Sequence, residues 1–203
     1  MTRVLIVKAH PLDSKTSYVL RALEQVESHY HTLHPEDQIE VLDVFTASIP
    51  LLDKDLLEAM TLKKKGESIS QQQEISLERF SKFTDQFLRA DKVIIANPLW
   101  NLNVPSQLVA WINTINVSGV TFKYGVDGAV GLVKGKKILH IQSNGGIYTG
   151  SDPAAQYIRS VFGFLGCEEV HQVFIEGQSA HPDQAELIFN QAITKLKSLL
   201  ETF

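Results

Sequence analysis

Cysteine is almost missing. Cys167 is the only one in 203 residues, so no intrachain disulfide can brace the fold. That usage fits a reducing compartment, and a cytoplasmic location is expected. No run is long and apolar enough to span a membrane, and Met1 to Val7 is too short for a secretory leader, so neither is expected. A strong excess of one charge is also missing. The formal net charge is −4, which argues against nucleic acid or an anionic membrane as the main partner. There is no internal repeat, no low-complexity tract and no G-x-G-x-x-G, so the dinucleotide fingerprint is absent. His29, His31 and His34 lack i, i+4 spacing, read as solvated, and point to no metal. No acid–base triad can be assembled.

What remains is enough for a sizeable core, since 44% of the residues are hydrophobic. One stretch organises the rest. Val93-Ile94-Ile95-Ala96 is an apolar run that reads as a parallel strand buried on both faces. Pro98 has no N–H to give a ladder, so the strand is expected to stop at Asn97-Pro98. Leu99, Trp100, Asn101 and Leu102 follow as a loop, and Pro105 is placed as the first residue of the next helix. In an open α/β sheet ligands bind just beyond the carboxyl ends of the strands. A loop with free backbone N–H groups, one flat aromatic and one amide suits a flat ring with polar edges, such as the isoalloxazine of a flavin.

Two further strand ends carry polar loops. Val4-Leu5-Ile6-Val7 reads as the first strand, and Val19, Leu20, Leu23, Val26 and Tyr30 keep helical spacing after it. Between them lie His10, Ser14, Lys15, Thr16 and Ser17. Hydroxyls and a lysine at a helix start suit a phosphate, because helix N-termini carry unpaired N–H groups and partial positive charge. Simple N-capping accounts for the same residues, and both readings stand on spacing alone. Lys137 to Gln142 forms another strand, followed by Ser143, Asn144, Gly145 and Gly146 as a flexible loop.

The intervening segments complete the pattern. Ile39 to Asp43 alternates as the second strand, and Leu51 to Met60 reads as a short helix. Thr61 to Gln73, containing Lys63-Lys64-Lys65-Gly66, reads as a solvated connection rather than a rim over a pocket. Leu77, Phe80, Phe83, Phe87 and Leu88 mark a helix, as do Leu108, Trp111, Ile112 and Ile115. Gly119 to Tyr124 reads as a short strand or hairpin arm, and Gly125 to Gly135 as a turn-rich loop. Asp152-Pro153 opens a helix that ends at Gly166. Val170 to Ile175 is the last strand, and Pro182 to Thr202 the last helix. Five strands alternating with helices predict an α/β fold: a doubly wound, five-stranded parallel sheet of flavodoxin-like order 2-1-3-4-5, with helices on both faces and one domain over residues 1–203. The loops after strands one, three and four would then meet at the switch point.

At this point the chain resembles a known family, the FMN-dependent azoreductases, also described as NADH:quinone oxidoreductases of the flavodoxin-like fold. The resemblance covers nearly the whole chain. It is carried by Pro98-Leu-Trp-Asn-Leu102, by Gly119-Val-Thr-Phe-Lys-Tyr124 with Gly131-Leu-Val-Lys-Gly-Lys-Lys137, by Ser143-Asn-Gly-Gly146 and by Glu176-Gly177. It implies that His10, Ser14, Lys15 and Thr16 hold the FMN phosphate with Ser17 close by. Pro98 to Leu102 would line the isoalloxazine with Asn101 on its polar edge, and Ser143 to Gly146 would reach the pyrimidine end. Phe162 and Glu176 are implied as outlying contacts or partner-subunit contacts. The resemblance implies a two-electron, ping-pong transfer from NADH or NADPH to quinones and aromatic azo compounds through flavin N5, in a homodimer with its sites at the interface. His10 and Asn144 depart from the Ser and Arg common in the family. Ala9-His10-Pro11 is similar to related quinone reductases that bind dinucleotide flavins, whereas the short loop before Ser14 and the Trp100-Asn101 pair favour FMN. A flavin-binding regulatory or ancillary subunit, or a redox sensor without its own turnover, would keep the same contacts. A receiver domain of the same fold order would need an acidic pair and a phospho-accepting Asp where this chain has His10-Pro11 and Asn97-Pro98.

Overall fold

The computed structural model describes residues 1–203. The chain runs β1 (Arg3–Lys8), α1 (Tyr18–Leu33), β2 (Gln38–Asp43), α2 (Lys54–Lys65), α3 (Gln71–Arg89), β3 (Lys92–Pro98), α4 (Ser106–Ile115), β4 (Phe122–Gly125), β5 (Gly128–Gly131), β6 (Lys137–Asn144), α5 (Pro153–Leu165), β7 (Glu169–Glu176) and α6 (Ala185–Leu200). The main sheet has five strands, all parallel, in the order β2-β1-β3-β6-β7. The fold class is the expected one, but the expected order 2-1-3-4-5 is corrected. The hairpin arm read over Gly119 to Tyr124 is β4; it pairs antiparallel with β5, which lies in the segment read as a turn-rich loop, and this separate hairpin intervenes before β6.

Each face of the sheet is closed by its own helices. On one face Val4, Ile6, Ile94, Ala96, Leu139 and Ile141 meet apolar side chains of α1 and α6. On the other, Leu5, Val7, Val93, Ile95 and Ile138 meet α3, α4 and α5. Strand residues alternate between the two cores because successive side chains point to opposite faces. Within the second core Phe162 is fully buried, with its ring centroid 6.1 Å from Phe87 and 6.5 Å from Trp111. The implied place of Phe162 near the ligand or a partner subunit is therefore corrected: its side chain fills the core between α5 and the sheet.

Other boundaries are set by local chemistry. β3 ends at Pro98, at the expected Asn97-Pro98 stop, and Pro98 itself still pairs in register with Ser143. Ala96 offers its carbonyl to Ala9 N–H on the β1 side, and the nitrogen of Pro98, two residues on, faces the same way, where β1 has already left the sheet. No ladder bond is lost there. α2 continues to Lys65, because Lys63, Lys64 and Lys65 occupy its last turn, where cations suit the helix dipole, and Gly66 takes the left-handed capping conformation at φ +74°. The supposed polar connection is thus mostly helix, and Ser70 and Gln73 open α3 with a capping box. Pro105 caps α4 with its carbonyl rather than entering it, and Pro182–Gln184 is a short 3-10 turn before α6.

The glycine-rich segment is more than a turn. Gly131, in β5, lies against the backbone of Leu165 and Gly166 at the end of α5, where any Cβ would overlap it. Val133 N–H donates to Leu165 O at 2.9 Å beside this contact. The hairpin is thereby fastened to α5. His31 is exposed as expected, whereas His29 and His34 are half-buried, with His34 4.6 Å from the Tyr30 ring. Burial lifts the Cys167 thiol to about 11, so it is a packing group at neutral pH.

Because Phe162 has no space to collapse into, Phe162→Ala is expected to cost about 3–5 kcal/mol of stability. Urea unfolding followed by circular dichroism measures it; a cost under about 1 kcal/mol would show that the α5 core is loosely packed.

Candidate functional site

Three loops leave the carboxyl ends of neighbouring strands. β3 lies between β1 and β6, so the segments after Lys8, Pro98 and Asn144 emerge side by side. Specific contacts join them. Ala9 N–H donates to Ala96 O at 2.8 Å, and Leu99 N–H donates to Ser143 O at 2.9 Å. The His10 and Trp100 rings lie 5.3 Å apart, and Phe45, after β2, stands 6.4 Å from the same indole.

The first loop is built around Asp13. Its side chain accepts from Lys15 N–H and from Thr16 Oγ1, each at 3.1 Å, while its carbonyl accepts from Ser17 N–H. Ser17 is the N-cap of α1 and accepts from Leu20 N–H at 3.4 Å. The capping reading therefore describes Ser17 and local bonding describes Thr16, while each hydroxyl keeps one further bonding direction. Tyr18 and Val19, the first helical residues, have N–H groups with no acceptor in the chain. Lys15 is exposed and forms no ion pair, and Ser14 forms no side-chain bond. His10 is buried, and its Nδ1 accepts from Leu12 N–H at 3.1 Å, which leaves the ring proton on Nε2. Burial, then the charge of Lys8, lowers its proton affinity. His10 is therefore a neutral donor at pH 7, and positive charge in this loop comes from Lys15 and the helix terminus.

The second loop is a tight reversal. Trp100 and Asn103 exchange two backbone bonds at 2.9 Å, and between them Asn101 and Leu102 hold φ +51° and +60°. Two consecutive positive φ values are the signature of a type I′ turn, which is strained for a leucine. Trp100 (41% exposed) and Leu102 (52%) are left facing outwards. The third loop is held from below. Asn144 is buried and donates to Glu176 Oε1 at 2.9 Å and to Gly146 O at 3.3 Å. Glu176 Oε2 accepts from Thr149 N–H at 2.8 Å and from Tyr148 N–H at 3.3 Å. Glu176 is thus a strut for the loop. Gly145 sits where a Cβ would overlap the Ser179 side chain.

Beneath the loops runs a buried polar seam that sequence reasoning missed. His140 is wholly buried; its Nε2 meets Asn97 Oδ1 at 2.8 Å and its Nδ1 meets Gln172 Nε2 at 3.0 Å. Gln142, next along β6, donates to Asp152 Oδ2 at 3.1 Å, and its Oε1 is buried without a partner. The signal was polar side chains at alternate positions of otherwise apolar strands, at Asn97, His140, Gln142 and Gln172. That pattern marks a face but names no partner. No three His, Cys, Asp or Glu side chains gather as a metal site, and no helix is long and apolar enough to cross a membrane.

Burial without charge partners lowers the His140 pKa to about 3. The unfolded residue takes a proton below about 6.5 and the folded one does not until about 3. The unfolded state therefore binds more protons across that window, and stability is lost as pH falls through it, by on the order of 1 kcal/mol per pH unit. Urea midpoints between pH 7 and pH 4 should show this slope, and His140→Gln should flatten it. An unchanged slope in the variant would assign the acid lability to other groups.

The comparisons agree with this geometry. A family model described as flavodoxin-like fold matches residues 2–200. The chain is 63% identical to an FMN-dependent NADH:quinone oxidoreductase of Streptococcus suis (strain 98HAH33), over 100% of both chains. It is 36% identical to one of that name from Staphylococcus aureus (strain MRSA252), again over 100% of both. Among solved structures it is similar to an azoreductase from Bacillus anthracis str. Sterne, with TM-score 0.95 and 32% identity over 100% of both chains. An FMN-dependent NADH-azoreductase from Bacillus anthracis str. Ames Ancestor, in complex with FMN, superposes with TM-score 0.93 and 29% identity over 100% of this chain and 99% of that one. With its fold, its strand-end loops and its full-length relatives in agreement, this chain belongs to the flavodoxin-like family of FMN-dependent NADH:quinone oxidoreductases and azoreductases.

Proposed function

We propose that this chain is an FMN-dependent oxidoreductase that passes two electrons from NADH or NADPH to quinones and aromatic azo compounds. The observation that carries the reading is the meeting of three strand-end loops, through Ala9 with Ala96, His10 with Trp100 and Leu99 with Ser143. The residues fit FMN. Two orphaned N–H groups at the start of α1, beside Ser14, Lys15, Thr16 and Ser17, suit a phosphate. FMN, when bound, supplies a hydride acceptor at N5 that serves donor and acceptor in turn, by a ping-pong sequence.

The protein's own work is binding, orientation and exclusion of water. Lys15 and the α1 terminus hold the phosphate charge, and His10 adds a neutral donor. Pro98, Leu99, Trp100, Asn101 and Leu102 line the ring, with Asn101 on its polar edge. Ser143, Asn144, Gly145 and Gly146 close on the pyrimidine end, where their backbone N–H groups face developing negative charge as an oxyanion hole does. Asn144 acts in this set through the loop it braces. Residues 1–203 form one flavodoxin-like domain, which works in the cytoplasm as a homodimer with its sites at the interface. Large apolar side chains exposed around the loops, Trp100, Leu102 and Ile147, support a flat substrate or a second subunit covering them.

The test is a spectrum of the purified protein during anaerobic titration with NADH. A yellow protein, bleached by NADH and restored by a quinone, is expected, and heat-released flavin should run as FMN rather than FAD. A colourless protein that FMN cannot reconstitute would overturn the cofactor and the activity together. A yellow protein that neither nicotinamide reduces would shift the reading to a regulatory flavoprotein. Lys15→Met removes one charge-assisted bond, generally worth about 1.5–3 kcal/mol. It should weaken FMN binding by roughly 10-fold or more while leaving the Tm unchanged.

A further inference from the structure

The polar seam beneath the sheet's carboxyl end has a direction. Arg159, exposed on α5, donates to Gln172 Oε1 from Nε at 3.0 Å and from a terminal guanidinium nitrogen at 2.7 Å. Gln172 Nε2 donates to His140 Nδ1 at 3.0 Å and to Ala155 O at 2.9 Å. His140 Nε2–H donates to Asn97 Oδ1 at 2.8 Å, and Asn97 Nδ2 donates to Pro98 O at 3.0 Å. Apart from the branch from Gln172 to Ala155 O, the donors point one way, from a cation at the surface to a carbonyl at the root of the second loop. The partners fix the tautomer: Gln172 presents an N–H to Nδ1, so the imidazole proton sits on Nε2 and faces Asn97.

Pro98 O is where this line matters. It lies on the β1 side of β3, beyond the last ladder bond from Ala9 to Ala96. Without Asn97 this buried carbonyl would have no partner, and one residue later the chain must enter a turn with two left-handed residues. A strained turn keeps one geometry only if its flanks are held. One flank, Leu99, is held by Ser143. Aligned donors in a low-dielectric interior also strengthen one another.

We propose that Asn97, His140 and Gln172 are positioning residues. Their one-way hydrogen-bond chain fixes Pro98 and thereby sets the Leu99–Leu102 loop in the conformation that receives the flavin ring. This rests on the proposed FMN function, but its first consequence belongs to the bare protein. None of the three side chains need touch the ligand; they act through the Pro98 carbonyl.

The test compares the wild-type chain with Asn97→Ala and with the triple variant Asn97→Ala/His140→Leu/Gln172→Leu. The triple variant removes the whole chain of donors and strands none of the three side chains, but it leaves the Pro98 carbonyl without its donor, so it should fold and unfold several degrees below the wild-type temperature. Two readouts are taken: hydrogen exchange of the Leu99, Trp100 and Asn103 amides in the FMN-free protein, and the FMN dissociation constant. Both variants should exchange those amides at least tenfold faster and bind FMN at least tenfold more weakly. His140→Gln, which keeps a donor and an acceptor, should fall between wild type and the triple variant in both, and it serves as the test if the triple variant does not fold. Wild-type exchange in the triple variant would overturn the proposal, leaving the seam as packing only. Faster exchange with unchanged FMN affinity would also overturn it, because loop position would not reach the ligand. If the wild-type protein itself takes no FMN, the functional reading fails, and the exchange rates still decide whether the seam positions the loop.

Discussion

The placement of β3 between β1 and β6 is the constraint on which everything else depends. Strand β1 hands the chain to α1 on one face of the sheet, while β3 hands it to α4 on the other. Two neighbouring parallel strands whose connections leave to opposite faces must open a crevice between their ends, because no helix can cross above it. A phosphate can then be met by the first turn of α1 and a flat ring by the reversal after β3. The sheet also supplies rigidity. The Ala9–Ala96 and Leu99–Ser143 bonds are the last rungs of the two ladders, continued just far enough to tie the three loops together.

Most of the architecture was legible because it rests on local rules. The apolar runs at Val4–Val7, Val93–Ala96 and Lys137–Gln142 are strands buried on both faces. Helix ends announced themselves through Asp152-Pro153 and Gly166, whose cap geometry the structure reproduces. Where the reading fell short, a partner distant in sequence decided the outcome. The second arm of the hairpin, β5, was read as loop, because Gly131 presses against the end of α5 and nothing near it in sequence reports that. Pro98 still pairs at the expected stop because the neighbour that would have needed its N–H has already turned away. The lysines of α2 read as a solvated run until helix length made them its terminal turn.

The site was legible as three loops and illegible as a supported structure. Trp100, Asn101 and the Gly145-Gly146 pair stand out by residue type at strand ends. Asn97, His140, Gln142 and Gln172 do not, since a polar residue in a strand is ordinarily taken as facing water. Only the sheet shows that all four lie on the α5 side near the carboxyl end, buried or half-buried together. Glu176 was visible as part of a motif, but its role as acceptor for Asn144, Tyr148 and Thr149 could not be read without the loop folding over it.

This arrangement costs stability. An apolar core of the same volume would be at least as stable, since a buried hydrogen bond contributes only about 1 kcal/mol net and an orphaned partner costs about 1–3 kcal/mol. Gln142 Oε1, left without a partner, already shows such a cost. Asn101 and Leu102 add backbone strain of on the order of 1–3 kcal/mol each in the left-handed region. Both costs fall at the same end of the sheet, directly under the crevice. A hydrophobic contact tolerates sliding, while a hydrogen bond to one carbonyl does not. A loop that must present an aromatic face at one height above the sheet is better served by bonds that fix direction than by packing that only fixes volume.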